Sequence, residues 1–246
     1  MAHKIRVGAV SYLNTKPLVY GFEQGMMADE IDLTFDHPAN IAAKLLSDEI
    51  DVGLVPVAII PKLKEHYIVS EYGIGANDEV ASVCLFSDVP LNEIEKILLD
   101  YQSRTSVALL QILLKEHWKI SPGIIQGQED YEQEISGTTA GLVIGDRAFK
   151  QRLKSKYIYD LGTAWKEMTG LPFLFAAWVS NKQLDEKFKE EFDLANQFGL
   201  EHLDEVIKNN PYEFYDLKTY YTKNINYAVD EETQKGLLKF LELMSH

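Results

Sequence analysis

Residues 173–181 read FLFAAWVSN and residues 80–87 read VASVCLFS. Both runs are uncharged and rich in aromatic or β-branched residues, the composition of short strands buried on both faces. The first lies within the longest uncharged stretch, 168–181, which is shorter than a bilayer span and contains Gly170 and Pro172. It therefore reads as a buried strand and not as a membrane helix. Before the pair come KIRVGAV (4–10), the polar turn SYLNTKP (11–17), a helix entered at Pro17, IDLTFDH (31–37), PANIAAKLLSDE (38–49) and DVGLVP (51–56). Apolar residues at 41, 42, 45 and 46 make a helical stripe, and Asn14 or Thr15 is placed to cap the first helix. Strand, helix, strand, helix and strand predict βαβ units on a parallel sheet, with a helical turn from Pro56.

A second α/β run lies between the two long strands. It comprises KILLD (96–100), a helix over 104–117, a strand at 124–126, AGLVIG (140–145), a helix from about 146, a strand at 157–161 and a helix around 163–169. After Asn181 everything to His246 reads as helix. The pattern predicts an α/β protein in which residues 1–86 and 178–246 form one discontinuous lobe with C-terminal helices, and 87–177 an inserted lobe. The strands near 80–88 and 174–181 are the expected crossings. The ligand site is then the cleft between lobes, where strand C-termini and helix N-termini converge.

The 246 residues include 24 Lys and Arg against 38 Asp and Glu, a formal charge of −14. A chain this acidic lacks the cationic face that a nucleic-acid backbone or an anionic membrane surface demands, so neither partner is expected. The acidity is uneven: residues 81–178 carry 10 basic and 12 acidic groups, whereas both flanks are strongly negative. Cys84 is the sole cysteine, which excludes an internal disulfide and paired-Cys metal sites. The opening MAHKIRVGAV has too short an apolar run for a secretory signal, so the cytoplasm is the expected location.

Three loops carry candidate chemistry. Ser11 and Asn14, in SYLNTKP, offer a hydroxyl and an amide beside a helix start, or simply satisfy the turn. In DYQSRTS (100–106), Ser103, Arg104, Thr105 and Ser106 crowd a helix N-terminus. Ser103 alone suffices as a cap, so the excess favours anion binding, while Arg104 either serves the ligand, faces solvent or pairs with Asp100. In GLVIGDR (141–147), Asp146 opens a helix as a cap or faces the cleft. Neither Gly-x-Gly-x-x-Gly nor a phosphate-binding loop occurs, and no Gly-x-Ser-x-Gly elbow. The six His residues (3, 37, 66, 117, 202 and 246) are scattered, so no metal is expected. Cys84, Trp118, Trp165 and Trp178 read as core residues, although Trp178, in a crossing strand, lies within reach of the cleft.

Taken together, SYLNTKPL (11–18), DVGLVP (51–56), VASVCLFS (80–87), YQSRTSVALLQILL (101–114), GLVIGDRA (141–148) and DLGTAWKEMTGLPFLFAAWV (160–179) resemble the chorismate dehydratase family of the futalosine route to menaquinone. The resemblance covers about residues 5–180, and the helical tail adds little to it. It implies a two-lobed fold of the type II periplasmic-binding-protein kind. It also implies a lyase without metal or organic cofactor that converts chorismate to 3-[(1-carboxyvinyl)oxy]benzoate and water. By the same resemblance Asn14 is catalytic, Ser82 is a cleft serine, and Ser103, Thr105 and Ser106 belong to the substrate-carboxylate loop, with Ser11, Arg104 and Asp146 in matching motifs. No protein base is evident, which leaves the substrate's own enolpyruvyl carboxylate for that role. The rival readings are a non-catalytic small-anion binding or sensing protein, and the sister enzyme 1,4-dihydroxy-6-naphthoate synthase. The sister family's opening motif resembles Ser-x-Cys-x-Asn-Asp, and SYLNTKP argues against it.

Overall fold

The computed structural model describes residues 4–245; the start of the chain with His3, and His246 at its end, lie outside the described residues. The first unit begins as the periodicity predicts, with β1 (Ile5–Val10), α1 (Lys16–Glu23), β2 (Ile31–Asp36), α2 (Pro38–Leu46) and β3 (Val52–Pro56). β1 lies between β2 and β3 and is parallel to both. β4 (Tyr67–Ala76) was not foreseen, because Gly73 and Gly75 interrupt its apolar alternation. β5 (Val83–Ser87), β6 (Lys96–Leu99), α3 (Thr105–Ile112), β7 (Gly123–Gln126), β8 (Thr139–Ile144), α4 (Asp146–Arg152), β9 (Tyr157–Asp160) and α5 (Leu161–Thr169) follow close to their expected places. The chain then forms β10 (Phe173–Ser180), α6 (Glu186–Glu201), α7 (Leu203–Asn209), the single turn α8 (Leu217–Thr219), β11 (Asn226–Ala228) and α9 (Glu231–Met244). The tail is thus not helical throughout, since residues 210–216 are irregular and β11 is extended.

Two sheets result, one ordered β11-β4-β10-β3-β1-β2 and the other β7-β6-β8-β5-β9. Both are mixed and not purely parallel: β10 runs antiparallel to β3 and β4, and β5 antiparallel to β8 and β9. β5 belongs wholly to the second sheet and β10 wholly to the first. The passages between sheets therefore lie ahead of these strands, a few residues before the boundaries expected at 86/87 and 177/178.

One buried cluster runs through both sheets, from Leu18, Ile41 and Leu54 to Leu85, Leu109, Leu142 and Trp165. Cys84, Phe86, Leu98 and Val143 alternate with members of that cluster and form a smaller core on the opposite face of the second sheet. Trp178 is fully buried, donates to Asn196 Oδ1 at 2.9 Å and packs edge-on against Phe22 and Phe192. It is a core residue, absent from the lining of the cleft. α1 docks on α6 with almost no gap: a Cβ at Gly199 would stand 1.8 Å from the Pro17 carbonyl oxygen. That contact fixes the helix that begins two residues after Asn14.

Candidate functional site

A narrow cavity opens where β1, β3 and β8 end and α3 begins. The first unit contributes Val10, Tyr12, Asn14, Pro38, Pro56, Ile74, Phe175 and Ala176; the remainder contributes Val80, Val83, Ser103, Thr105, Ser106, Ile144 and Gly145. Strand C-termini and a helix N-terminus from two sheets face one space, the arrangement in which α/β proteins hold ligands.

The loop after β1 forms one wall. Leu13–Thr15 makes a short 3₁₀ turn, and the Leu13 N–H donates to Asp146 Oδ1 at 3.1 Å, joining this loop to the start of α4. The Tyr12 hydroxyl donates to Gln102 Oε1, and its ring lies flat against Gly145. A Cβ at Gly145 would be 3.1 Å from that ring, a tight fit, and the residue has φ +63°, a backbone conformation that favours glycine. Asn14 is half-buried and faces the cavity.

The opposite wall is the entry to α3. Ser103 Oγ accepts from the Ser106 N–H at 3.1 Å, which caps the helix, and Thr105 Oγ1 accepts from the Ala58 N–H at 3.1 Å, which ties α3 to the first unit. Ser103, Thr105 and Ser106 all line the cavity. Arg104 points outward and is exposed, and it does not pair with Asp100. Arg147 does so instead, at 2.5 Å, and also reaches Glu132 at 2.6 Å. Tyr131 donates to the same Asp100 carboxylate at 3.0 Å, and the Gln102 N–H donates to it at 2.8 Å. This buried network anchors the loop that carries Ser103.

The back of the site is built from the passage between sheets and from the tail. Ala81 has φ +63°, and the Ser82 N–H donates to the Val80 carbonyl at 2.8 Å, a three-residue turn of the strained γ kind. The Asp160 carboxylate holds it by accepting from the Val80 and Ala81 N–H groups at 3.1 and 2.8 Å while capping α5. Ser82 is completely buried and does not line the cavity; its Oγ accepts from the Tyr220 hydroxyl at 2.7 Å. Tyr227 donates to the Asn14 carbonyl at 3.0 Å, and Tyr212 to the Asp146 carbonyl at 2.7 Å.

Tyr12 is the only ionisable side chain among the lining residues, and burial pushes its phenol well above the usual range. Just behind them, burial raises the Asp146 carboxyl to about 6, opposed by the Leu13 N–H and by Lys16. A cavity of this make-up offers hydroxyls, an amide and helix-terminal N–H groups, and no side chain suited to abstract a proton at neutral pH.

Of the residues singled out from sequence, the structure brings Asn14, Ser103, Thr105 and Ser106 together on the cavity. It places Ser82 behind them, sets Asp146 on the Leu13 N–H, and leaves Ser11 and Arg104 exposed and off the lining. Missed were Tyr12, Arg147, Tyr131, Tyr212, Tyr220 and Tyr227. Five of the chain's 13 tyrosines fall within 212–227, a density at odds with the solvated helix that the tail otherwise suggests.

A family model described as menaquinone biosynthesis matches residues 5–246. The chorismate dehydratase of Thermus thermophilus is 28% identical over 238 residues, covering 84% of each chain. That of Campylobacter jejuni is 25% identical over 244 residues, covering 96% of this chain and 95% of the relative. Among solved structures, protein AF1704 from Archaeoglobus fulgidus superposes with TM-score 0.77 at 19% identity over 99% of this chain and 97% of its own. The periplasmic aliphatic sulphonate binding protein SsuA from Escherichia coli superposes with TM-score 0.64 at 13% identity, over 100% and 92%. The fold is therefore the two-lobed one of periplasmic binding proteins.

Proposed function

The chain belongs to the menaquinone biosynthesis family, and from that premise we propose that it is a chorismate dehydratase, a lyase acting in the futalosine route and in the cytoplasm. One observation carries the mechanistic part of this reading: the cavity combines a helix N-terminus bearing Ser103, Thr105 and Ser106 with the amide of Asn14, and its lining lacks a carboxylate or imidazole. A carboxylate of chorismate docks on the Ser103, Thr105 and Ser106 hydroxyls at the start of α3, where the helix dipole favours negative charge. Asn14 hydrogen-bonds the C4 hydroxyl.

The reaction removes the C3 proton and the C4 hydroxyl. The C3–H electron pair becomes a ring double bond as the C4–O bond breaks, and proton and hydroxide leave as water. Aromatisation makes the step strongly downhill, so positioning and polarisation suffice. With no protein base in the cavity, the substrate's enolpyruvyl carboxylate takes the C3 proton. Ser82 supports this site from behind, and Asp146 holds the loop that carries Asn14.

Incubating the purified protein with chorismate and following the aromatic enol ether by absorbance and mass spectrometry tests the reading. Stoichiometric product release supports it; tight binding of chorismate without conversion favours a small-anion binding protein instead.

A further inference from the structure

β10 does not run evenly along β4. Leu174 faces Gly75 and Ala176 faces Ile74, so β10 advances two residues where β4 advances one, and Phe175 is the extra residue of a β-bulge. The flanking partners on β4 are glycines because the bulged backbone leaves no room: a Cβ at Gly73 would stand 2.8 Å from the Ala176 carbonyl oxygen, and one at Gly75 2.8 Å from that of Phe173. Successive residues of a regular strand point to opposite faces. At the bulge that alternation fails, and Phe175 and Ala176, neighbours in sequence, both line the cavity. The Phe175 ring is braced edge-on by Phe173, with centroids 4.6 Å apart, and Phe173 is itself held between Trp165 and Phe240, each at 5.1 Å. Tyr12, the other aromatic residue of the lining, is engaged elsewhere, its ring against Gly145 and its hydroxyl on Gln102.

We propose that Phe175 is a specificity-determining residue: the bulge brings its ring and the small Ala176 to the cavity together, and the pair form a surface that selects a ligand with a ring. The polar groups of the lining, Asn14, Ser103, Thr105 and Ser106, recognise charge and hydroxyls, and an open-chain dicarboxylate satisfies them as well as a cyclic one. An aromatic side chain adds a stacked or edge-on contact that only a ligand with a ring of its own makes in full. Ala176 leaves the space for that ring, since a larger side chain there would enter the cavity. The ligand class is thus a ring bearing carboxylates, and not an open chain. That the ring is chorismate's rests on the reading above; the preference for a ring does not.

The test titrates two probes into the full-length protein by calorimetry: isophthalate, a benzene ring with two carboxylates, and succinate, an open-chain dicarboxylate. Wild type is expected to bind isophthalate about tenfold more tightly than succinate. Phe175→Leu keeps an apolar side chain but removes the ring. It is expected to reduce that preference about three- to tenfold, and to raise the KM for chorismate by the same factor with turnover within about twofold. Ala176→Leu is expected to abolish isophthalate binding while leaving the unfolding temperature unchanged, because its side chain enters free space. Equal wild-type affinities for the two probes, a preference unchanged in Phe175→Leu, or a loss of affinity for both probes by the same factor overturns the proposal. If wild type does not convert chorismate, the enzyme reading fails, and the calorimetric preference alone decides the inference. Should Phe175→Leu fail to fold, Ala176→Leu decides it: a folded variant that no longer binds isophthalate supports the proposal, and one that binds it as wild type does refutes it.

Discussion

At the scale of single residues, the site divides into hydroxyls that hold the ligand and groups that hold the hydroxyls. Ser103 and Thr105 each accept a backbone N–H, whereas Ser106 lines the cavity with its hydroxyl in no such bond. Ser106→Ala is therefore expected to raise the KM for chorismate by about tenfold with turnover within about twofold, read from initial rates; equal losses would place it in transition-state stabilisation. Asp146 gives a prediction in pH. Its carboxyl is raised to about 6 by burial, above the ordinary value near 4, so the folded protein binds more protons than the unfolded chain between those two values. This group's contribution to stability is present at low pH and is lost as pH rises through about 6. Asp146→Asn removes it, so the Tm of the variant relative to wild type should increase from about pH 4.5 to about pH 7.5 in thermal melts; a constant difference would refute it. Ser103, Thr105, Ser106 and Asn14 were legible because they sit in short polar runs between a strand and a helix. Tyr220 and Tyr227 were not, since their partners Ser82 and Asn14 lie 138 and 213 residues away and no local pattern records such a contact.

At the scale of elements, α1 is the lever on Asn14, and its position is set by the close contact with α6. Gly199→Ala drives a Cβ into the Pro17 carbonyl at 1.8 Å, a backbone clash that no rotamer relieves. The variant should lose about 3 kcal/mol or more in urea unfolding, and the protein that remains folded should turn over more slowly because α1 and the loop before it have moved. A loss below about 1 kcal/mol would show that α6 yields instead. Elements with a clear period were readable: α2 through its stripe at 41, 42, 45 and 46, and β10 through eight nearly continuous apolar residues. β4 escaped because Gly73 and Gly75 pack against the backbones of β10 and β11 and so replace the side chains that would have completed its alternation. β11 has only three residues and no periodicity to read.

At the scale of the whole molecule, charge and site point in opposite directions. The −14 formal charge repels a dicarboxylate, while the cavity attracts one through fixed dipoles at short range. Screening therefore helps association: KM for chorismate should fall severalfold as ionic strength rises from about 0.01 to 0.2 M, with the Debye length shrinking from about 30 to below 10 Å. A rise in KM with salt would mean that a local positive field governs approach. The charge was readable from composition, but its irrelevance within the cavity was not, because that depends on which side chains line the space. The bond from Tyr227 to the Asn14 carbonyl also has a consequence in time. Tyr212, Tyr220 and Tyr227 leave the ribosome roughly 20 s after Asn14, at about 10 residues per second. Until then the nascent chain exposes a loop whose hydrogen-bond partners do not yet exist, so competence to act on a ligand waits for residue 227 to emerge.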